Sequence, residues 1–169
     1  MTSPAPEGAR RVVFLDIDGV VAPVRRWDRY GDLEPACVQV LNEIVAAGGA
    51  EVVVSSTWRY GRTVAELQAM LEAAGFTGCV IDTTPLGPPG ADRGDEISAW
   101  LEAHHVAGYV IVDDHPMRRL HARLVLTDPG RGLQPAHVAR AVQILRQPLA
   151  RGSTCRTADS GPGSSGSPA

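Results

Sequence analysis

Asp16 and Asp18 stand two residues apart where an apolar run gives out, in Phe14-Leu15-Asp16-Ile17-Asp18-Gly19-Val20. On extended backbone, residues i and i+2 face the same way. Two carboxylates placed like this repel each other unless a cation or a reaction uses them. Phosphoryl transfer uses both. It needs an oxygen nucleophile, neutralisation of charge on the phosphoryl oxygens, and a proton donor for the leaving group. Asp16 can attack phosphorus to form an aspartyl-phosphate, and Asp18 can reach the leaving oxygen as the acid. Gly19 allows a tight turn whose amides are free to contact phosphate.

Two other apolar runs end in residues of the same kind. "VVVSS" closes on Ser55 and Ser56, and "YVIVDD" closes on Asp113 and Asp114. The serines offer hydroxyl and amide donors to a phosphoryl group. An all-oxygen carboxylate set, without thiolate or imidazole, suits Mg²⁺. Asp113 would be its main further ligand, with Asp114 acting directly or through water. The chain has no lysine, so all sixteen basic residues are arginine. Any step that needs a cationic side chain must therefore use arginine, and Arg93 stands just before the helical pattern "GDEISAWL". Arg25, Arg26, Trp27, Arg29 and Tyr30 follow the first acidic pair, and Trp58, Arg59, Tyr60 and Arg62 follow the serines. Arginines interleaved with aromatics suit phosphate contact and base stacking. The same pattern arises where tryptophans cover a core edge and arginines are solvated. His104 and His105 fall at the end of a helical pattern, where positive charge suits the dipole.

The elements that must position these residues alternate along the chain. "RVVFLD", "AEVVVSS", "CVID", "GYVIVDD" and "RLVLTD" read as strands. "EPACVQVLNEIVAAGG", "TVAELQAMLEAAGF", "DEISAWLEAHHV" and "QPAHVARAVQILRQ" carry helical periodicity. This order predicts an α/β, doubly wound, Rossmann-like parallel sheet of about five strands. Sites in such sheets gather at the C-terminal strand ends, where all three polar pairs lie.

Taken in order, "FLDIDGV", "VVVSSTWR", Arg93 and "YVIVDD" resemble the four motifs of the haloacid dehalogenase (HAD) superfamily of phosphohydrolases. "SSTWR", "RGDEISAWL" and "LVLTDPGRGLQPAHVARAVQIL" are similar to a small subgroup associated with RNA-repair proteins, over about Val12 to Leu145. The resemblance implies Mg²⁺-dependent phosphomonoester hydrolysis through an aspartyl-phosphate, with Asp16, Asp18, Ser56 and Arg93 catalytic. It places the metal on Asp16, the backbone carbonyl of Asp18, Asp113 and Asp114. It favours Ser56, two residues before the tryptophan, over Ser55 as the phosphate-binding hydroxyl. Ser55, Gly19, Arg26, Trp27 and Arg59 are the expected substrate contacts. The third motif is usually lysine; Arg93 keeps the charge but replaces a compact ammonium with a planar fork.

The segments between motifs are too short for a large cap domain, so an open site is expected. That suits a protruding phosphate, on a nucleotide or an RNA or DNA end. A small-metabolite phosphatase, or a catalytically weak phosphate- and Mg²⁺-binding module, are the alternatives.

Bulk properties bound these readings. The 169 residues, 44% hydrophobic, suit one domain, expected over residues 10–146. Disorder is expected for 1–9 and for the Gly/Ser/Pro-rich tail 147–169. A net charge of -3 argues against gross attraction to nucleic acid but leaves room for a local basic patch. Cys37, Cys79 and Cys155 are too widely spaced for a zinc site or a disulfide framework. No apolar run is long enough to span a membrane, and the N-terminus lacks a signal peptide's apolar centre. The cytoplasm is the expected location. Nothing in the sequence calls for an obligate protein partner.

Overall fold

The structure, a computed structural model, describes residues 10–26, 28 and 31–149. The expected disordered terminus 1–9, most of the expected tail, and Trp27, Arg29, Tyr30 and Cys155 lie outside the described residues.

Five strands form one parallel sheet: β1 (Arg11–Leu15), β2 (Ala50–Val54), β3 (Val80–Thr83), β4 (Gly108–Asp113) and β5 (Leu124–Leu126). Their spatial order is β3-β2-β1-β4-β5, with β1 at the centre. Four helices connect them: α1 (Pro35–Gly48), α2 (Val64–Ala73), α3 (Arg93–Ala103) and α4 (Ala136–Arg146). Every strand and helix expected from the sequence is present.

The strands read as unbroken apolar runs because both faces of the sheet are buried. Val13, Leu15, Val52, Val54, Val110 and Val112 share one face with α1, α2 and α4. Val12, Phe14, Val53, Tyr109 and Ile111 pack on the other with Ile97 and Trp100 of α3. Phe14 meets Trp100 and Tyr109 edge-on at centroid distances of 5.4 and 5.8 Å. His104, read as structural, stacks on Trp100 at 3.9 Å.

Helix ends follow local chemistry. Gly49 closes α1 in the left-handed conformation, φ 59°. Thr63 with Glu66, and Asp92 with Asp95, form capping boxes at the starts of α2 and α3. The second box puts Arg93 inside the first turn of α3 rather than ahead of it. Among the described residues the one helix between β1 and β2 is α1, and only nine residues separate β3 from α3. The fold has no large cap. Among the described residues, no helix is long and apolar enough to cross a membrane.

Candidate active site

The central strand places the first acid. Phe14 is in register with Ile111 on β4 and with Val53 on β2. Extending that register sets Asp113 and Ser55 beside Asp16, and two backbone bonds continue the ladder there. The Asp16 amide donates to Val112 O (3.0 Å), and the Ser55 amide donates to Leu15 O (2.9 Å). Asp16 therefore shares the sheet face on which α3 packs. From the first turn of α3, Arg93 Nη1 reaches Asp16 Oδ2 at 2.9 Å and Asp113 Oδ2 at 2.7 Å. Donor atoms of Asp16, Asp113, Asp114 and His115 all lie within 4.8 Å of one another. Asp113 Oδ1 accepts from the His115 amide at 2.9 Å, and His115 Nδ1 lies 2.7 Å from Asp114 Oδ1. No helix follows Asp114, so this pair is not a helix cap.

Chain reversal after Asp18 is tight. The amides of Val20, Val21 and Ala22 all donate to Ile17 O. Gly19 takes φ 76°, and a Cβ there would lie 2.4 Å from Asp114 Oδ2. Only glycine permits both the left-handed backbone and that close approach. Thr127, just past β5, donates its hydroxyl to Gly19 O at 2.8 Å and pins the turn. The sequence reading missed Thr127; its one signal was a hydroxyl at a strand's C-terminal end, in "LVLTD".

Burial sets the electrostatics. The Asp16 carboxyl is pushed up from the ordinary 3.8 to about 7, first by burial and next by the neighbouring Asp113, with Arg93 opposing. Burial also raises Asp113, again against Arg93. For Arg93, burial disfavours the charge, but Asp16 and Asp113 outweigh it and hold the guanidinium charged. Arg93 alone does not compensate the carboxylates around it. A hard divalent cation fits this donor set: buried carboxylates, close together and short of positive charge. The Asp18 side chain stands outside the group.

A pH effect follows. Because the folded-state value of Asp16 lies above the ordinary one, folding favours its protonated form. The stability this contributes is complete below about pH 4 and lost as the pH rises through about 7. Metal-free protein should therefore melt at a lower temperature at pH 8 than at pH 5, and Mg²⁺ should reduce the difference. Melting curves at the two pH values, with and without Mg²⁺, check this.

Over residues 12–138 the chain matches the family described as the HAD domain in Swiss Army Knife RNA repair proteins. The chain belongs to this HAD family. No curated protein matches it.

In this HAD domain the two serines differ in their bonding. Ser56 caps the short 3₁₀ turn Thr57–Arg59, its Oγ accepting from the Trp58 amide at 3.3 Å. The Ser55 hydroxyl is buried and has no partner among the described residues. It sits next to Asp16 in the register that continues β1 and β2.

Arg59 also departs from expectation. It is buried, not at the rim, and it donates to the carbonyls of Ser55, Ser56 and Thr84 at 2.8–3.0 Å. It pairs with Glu96 at 2.6 Å. These bonds tie the strand ends to α3 and occupy the Arg59 guanidinium. Arg59→Met should destabilise the HAD domain by about 3 kcal/mol, because it takes away the charged partner of a partly buried carboxylate and leaves buried carbonyls unpaired. A fall of roughly 10 °C in melting temperature is expected. An unchanged melt with a raised KM would return Arg59 to the substrate.

Arg26 does lie at the surface, 3.2 Å from Asp28. An exposed pair of this kind is worth about 1 kcal/mol or less, so it can open for a substrate. The other rim contact expected, Trp27, is outside the described residues. Trp58 has a partner that the sequence did not reveal: its indole Nε1 donates to Asp18 Oδ2 at 2.9 Å.

Proposed function

We propose that this HAD domain is a Mg²⁺-dependent phosphatase that hydrolyses a phosphomonoester through an aspartyl-phosphate on Asp16. The observation that carries this reading is the pairing of two buried strand-end carboxylates, Asp16 and Asp113, through one arginine, Arg93. Asp18 follows at the start of the turn. Structural carboxylates gain nothing from being crowded so deep; a reacting phosphate with its cation does.

Asp16, Asp113, Asp114 and the Asp18 carbonyl would hold Mg²⁺, which neutralises charge on the phosphoryl oxygens when bound. An Asp16 carboxylate oxygen attacks phosphorus while the bond to the leaving oxygen breaks. Asp18 gives its proton to that oxygen. Asp18, now a carboxylate, then takes a proton from water as the water attacks the phosphorus. The bond from phosphorus to Asp16 breaks, inorganic phosphate leaves, and both acids return to their starting state. Arg93 holds the attacking carboxylate in place and faces the phosphoryl charge. Ser55 takes a phosphoryl oxygen; the amides of Gly19, Val20, Val21 and Ala22, expected to be free for phosphate, are instead occupied within the turn.

The substrate proposed is a phosphorylated RNA or DNA end, or a nucleotide. The absence of a large cap supports this, because an uncovered site admits a phosphate protruding from a larger body. The family's description as a domain of RNA repair proteins supports it as well. The test is a Mg²⁺-containing assay across mononucleotides, oligonucleotides phosphorylated at either end, and sugar phosphates. Highest kcat/KM on a nucleotide or an oligonucleotide end is expected. A preference for sugar phosphates would leave a small-metabolite phosphatase. No turnover of any of them would leave a phosphate-binding module.

A further inference from the structure

The acid in this reaction must touch the leaving oxygen, so the space that Asp18 borders is where the leaving group goes. Two hollows adjoin the site. The larger, about 730 Å³, is lined by Arg93, His115, Met117, Arg118 and Arg119 among others, but by neither Asp16 nor Asp18. The smaller, about 290 Å³, is lined by Asp18, Thr57, Trp58 and Arg62. Size favours the first, but contact with the acid selects the second.

Its walls are organised around Asp18. The Trp58 indole holds Asp18 Oδ2 at 2.9 Å. Asp18 Oδ1 is buried and has no partner among the described residues, so its hydrogen-bonding capacity is unspent. Arg62 lies over the Trp58 ring, 5.8 Å from its centroid, and donates one bond from Nη1 to Trp58 O at 3.0 Å. These two contacts hold the exposed guanidinium beside the cleft. No carboxylate among the described residues comes within ion-pairing distance of it. Glu66, which feels its charge, accepts the Thr63 amide at 2.7 Å. The cleft thus pairs the proposed acid with a cation whose remaining donors have no partner among the described residues.

We infer that this cleft is the leaving-group subsite, and that Arg62 selects esters whose leaving alcohol carries a second phosphate. The inference rests on the phosphatase reading and makes it more specific. A nucleoside bisphosphate and a phosphorylated polynucleotide end both have this chemistry. Arg62 meets the phosphate that is not cleaved, and Trp58 keeps Asp18 turned to the one that is.

The test compares kcat/KM for adenosine 3′,5′-bisphosphate with that for the adenosine monophosphates, in wild type, Arg62→Ala and Arg62→Lys. A charged contact of this kind is worth about tenfold or more. The preference for the bisphosphate should fall about tenfold in Arg62→Ala, mostly through KM, and recover in part in Arg62→Lys. It should also weaken with added salt in the wild type. Arg118→Ala with Arg119→Ala, in the larger hollow, should leave the preference unchanged. Repeating the comparison with a terminally phosphorylated oligoadenylate separates the two sources. An Arg62 effect on the oligomer alone would assign the subsite to polynucleotide ends, and an effect on both would show that a small bisphosphate suffices. No effect of Arg62→Ala on either the bisphosphate or the oligomer, or a loss in the Arg118/Arg119 variant instead, would overturn this inference alone. Failure of the wild type to hydrolyse any of these esters would overturn the phosphatase reading with it.

Discussion

Asp16→Asn should lower turnover by at least about a thousandfold while leaving the fold in place. The amide fills the same volume in a site that is almost fully buried, so packing is preserved. What it loses is the oxygen that bonds to phosphorus. It also removes a carboxyl whose charged form is disfavoured by burial and by Asp113, so the metal-free variant should melt no lower than the wild type. Arg93→Ala should cost less activity than Asp16→Asn, since it removes a positioning charge and leaves the nucleophile. Steady-state rates alongside melting curves separate these effects. Residual activity above a few per cent in Asp16→Asn would contradict the covalent mechanism.

Removal of divalent metal is the second large effect. Chelation should abolish turnover, and added Mg²⁺ should restore it. Asp113→Ala should move the activating Mg²⁺ concentration up by at least about tenfold, because a hard cation loses one of its few protein oxygens. Asp113 has no solvent exposure, and its oxygens are engaged by Arg93 and the His115 amide. No surface carboxylate can take its place. Titration of activity with Mg²⁺, and of melting temperature with Mg²⁺ in the absence of substrate, reads the midpoint twice. An unchanged midpoint would remove Asp113 from the metal's surroundings.

The layout of this domain is legible in its sequence because its signals are local. Apolar runs such as "RVVFL" and "GYVIV" must be buried on both faces, and Gly49 and the two capping boxes mark helix ends within a few residues. The strand-end acids are legible for the same reason, since a charged pair at the close of an apolar run stands out.

What the sequence left unread depends on how the chain turns and on contacts across it. Ser55 and Ser56 are adjacent, and which hydroxyl stays free depends on where the 3₁₀ turn begins. Because Ser56 is the cap of that turn, its oxygen is engaged. Arg59 looked like a rim cation beside two aromatics. The same turn folds its guanidinium inward to Thr84 and to Glu96, thirty-seven residues on. Trp58 meets Asp18 across forty residues, a pairing no local pattern encodes.

The central claim is a covalent phosphate on Asp16, and chemical trapping reads it directly. Wild-type protein is mixed with a hydrolysed ester and Mg²⁺, quenched in acid during turnover, and reduced with borohydride. An acyl phosphate on an aspartate is converted to homoserine, which mass spectrometry of the digested chain assigns to a position. Homoserine at position 16, absent when the ester is left out, is the result this account predicts. Sustained turnover with no reduction at position 16, or with reduction at another carboxylate, would contradict it.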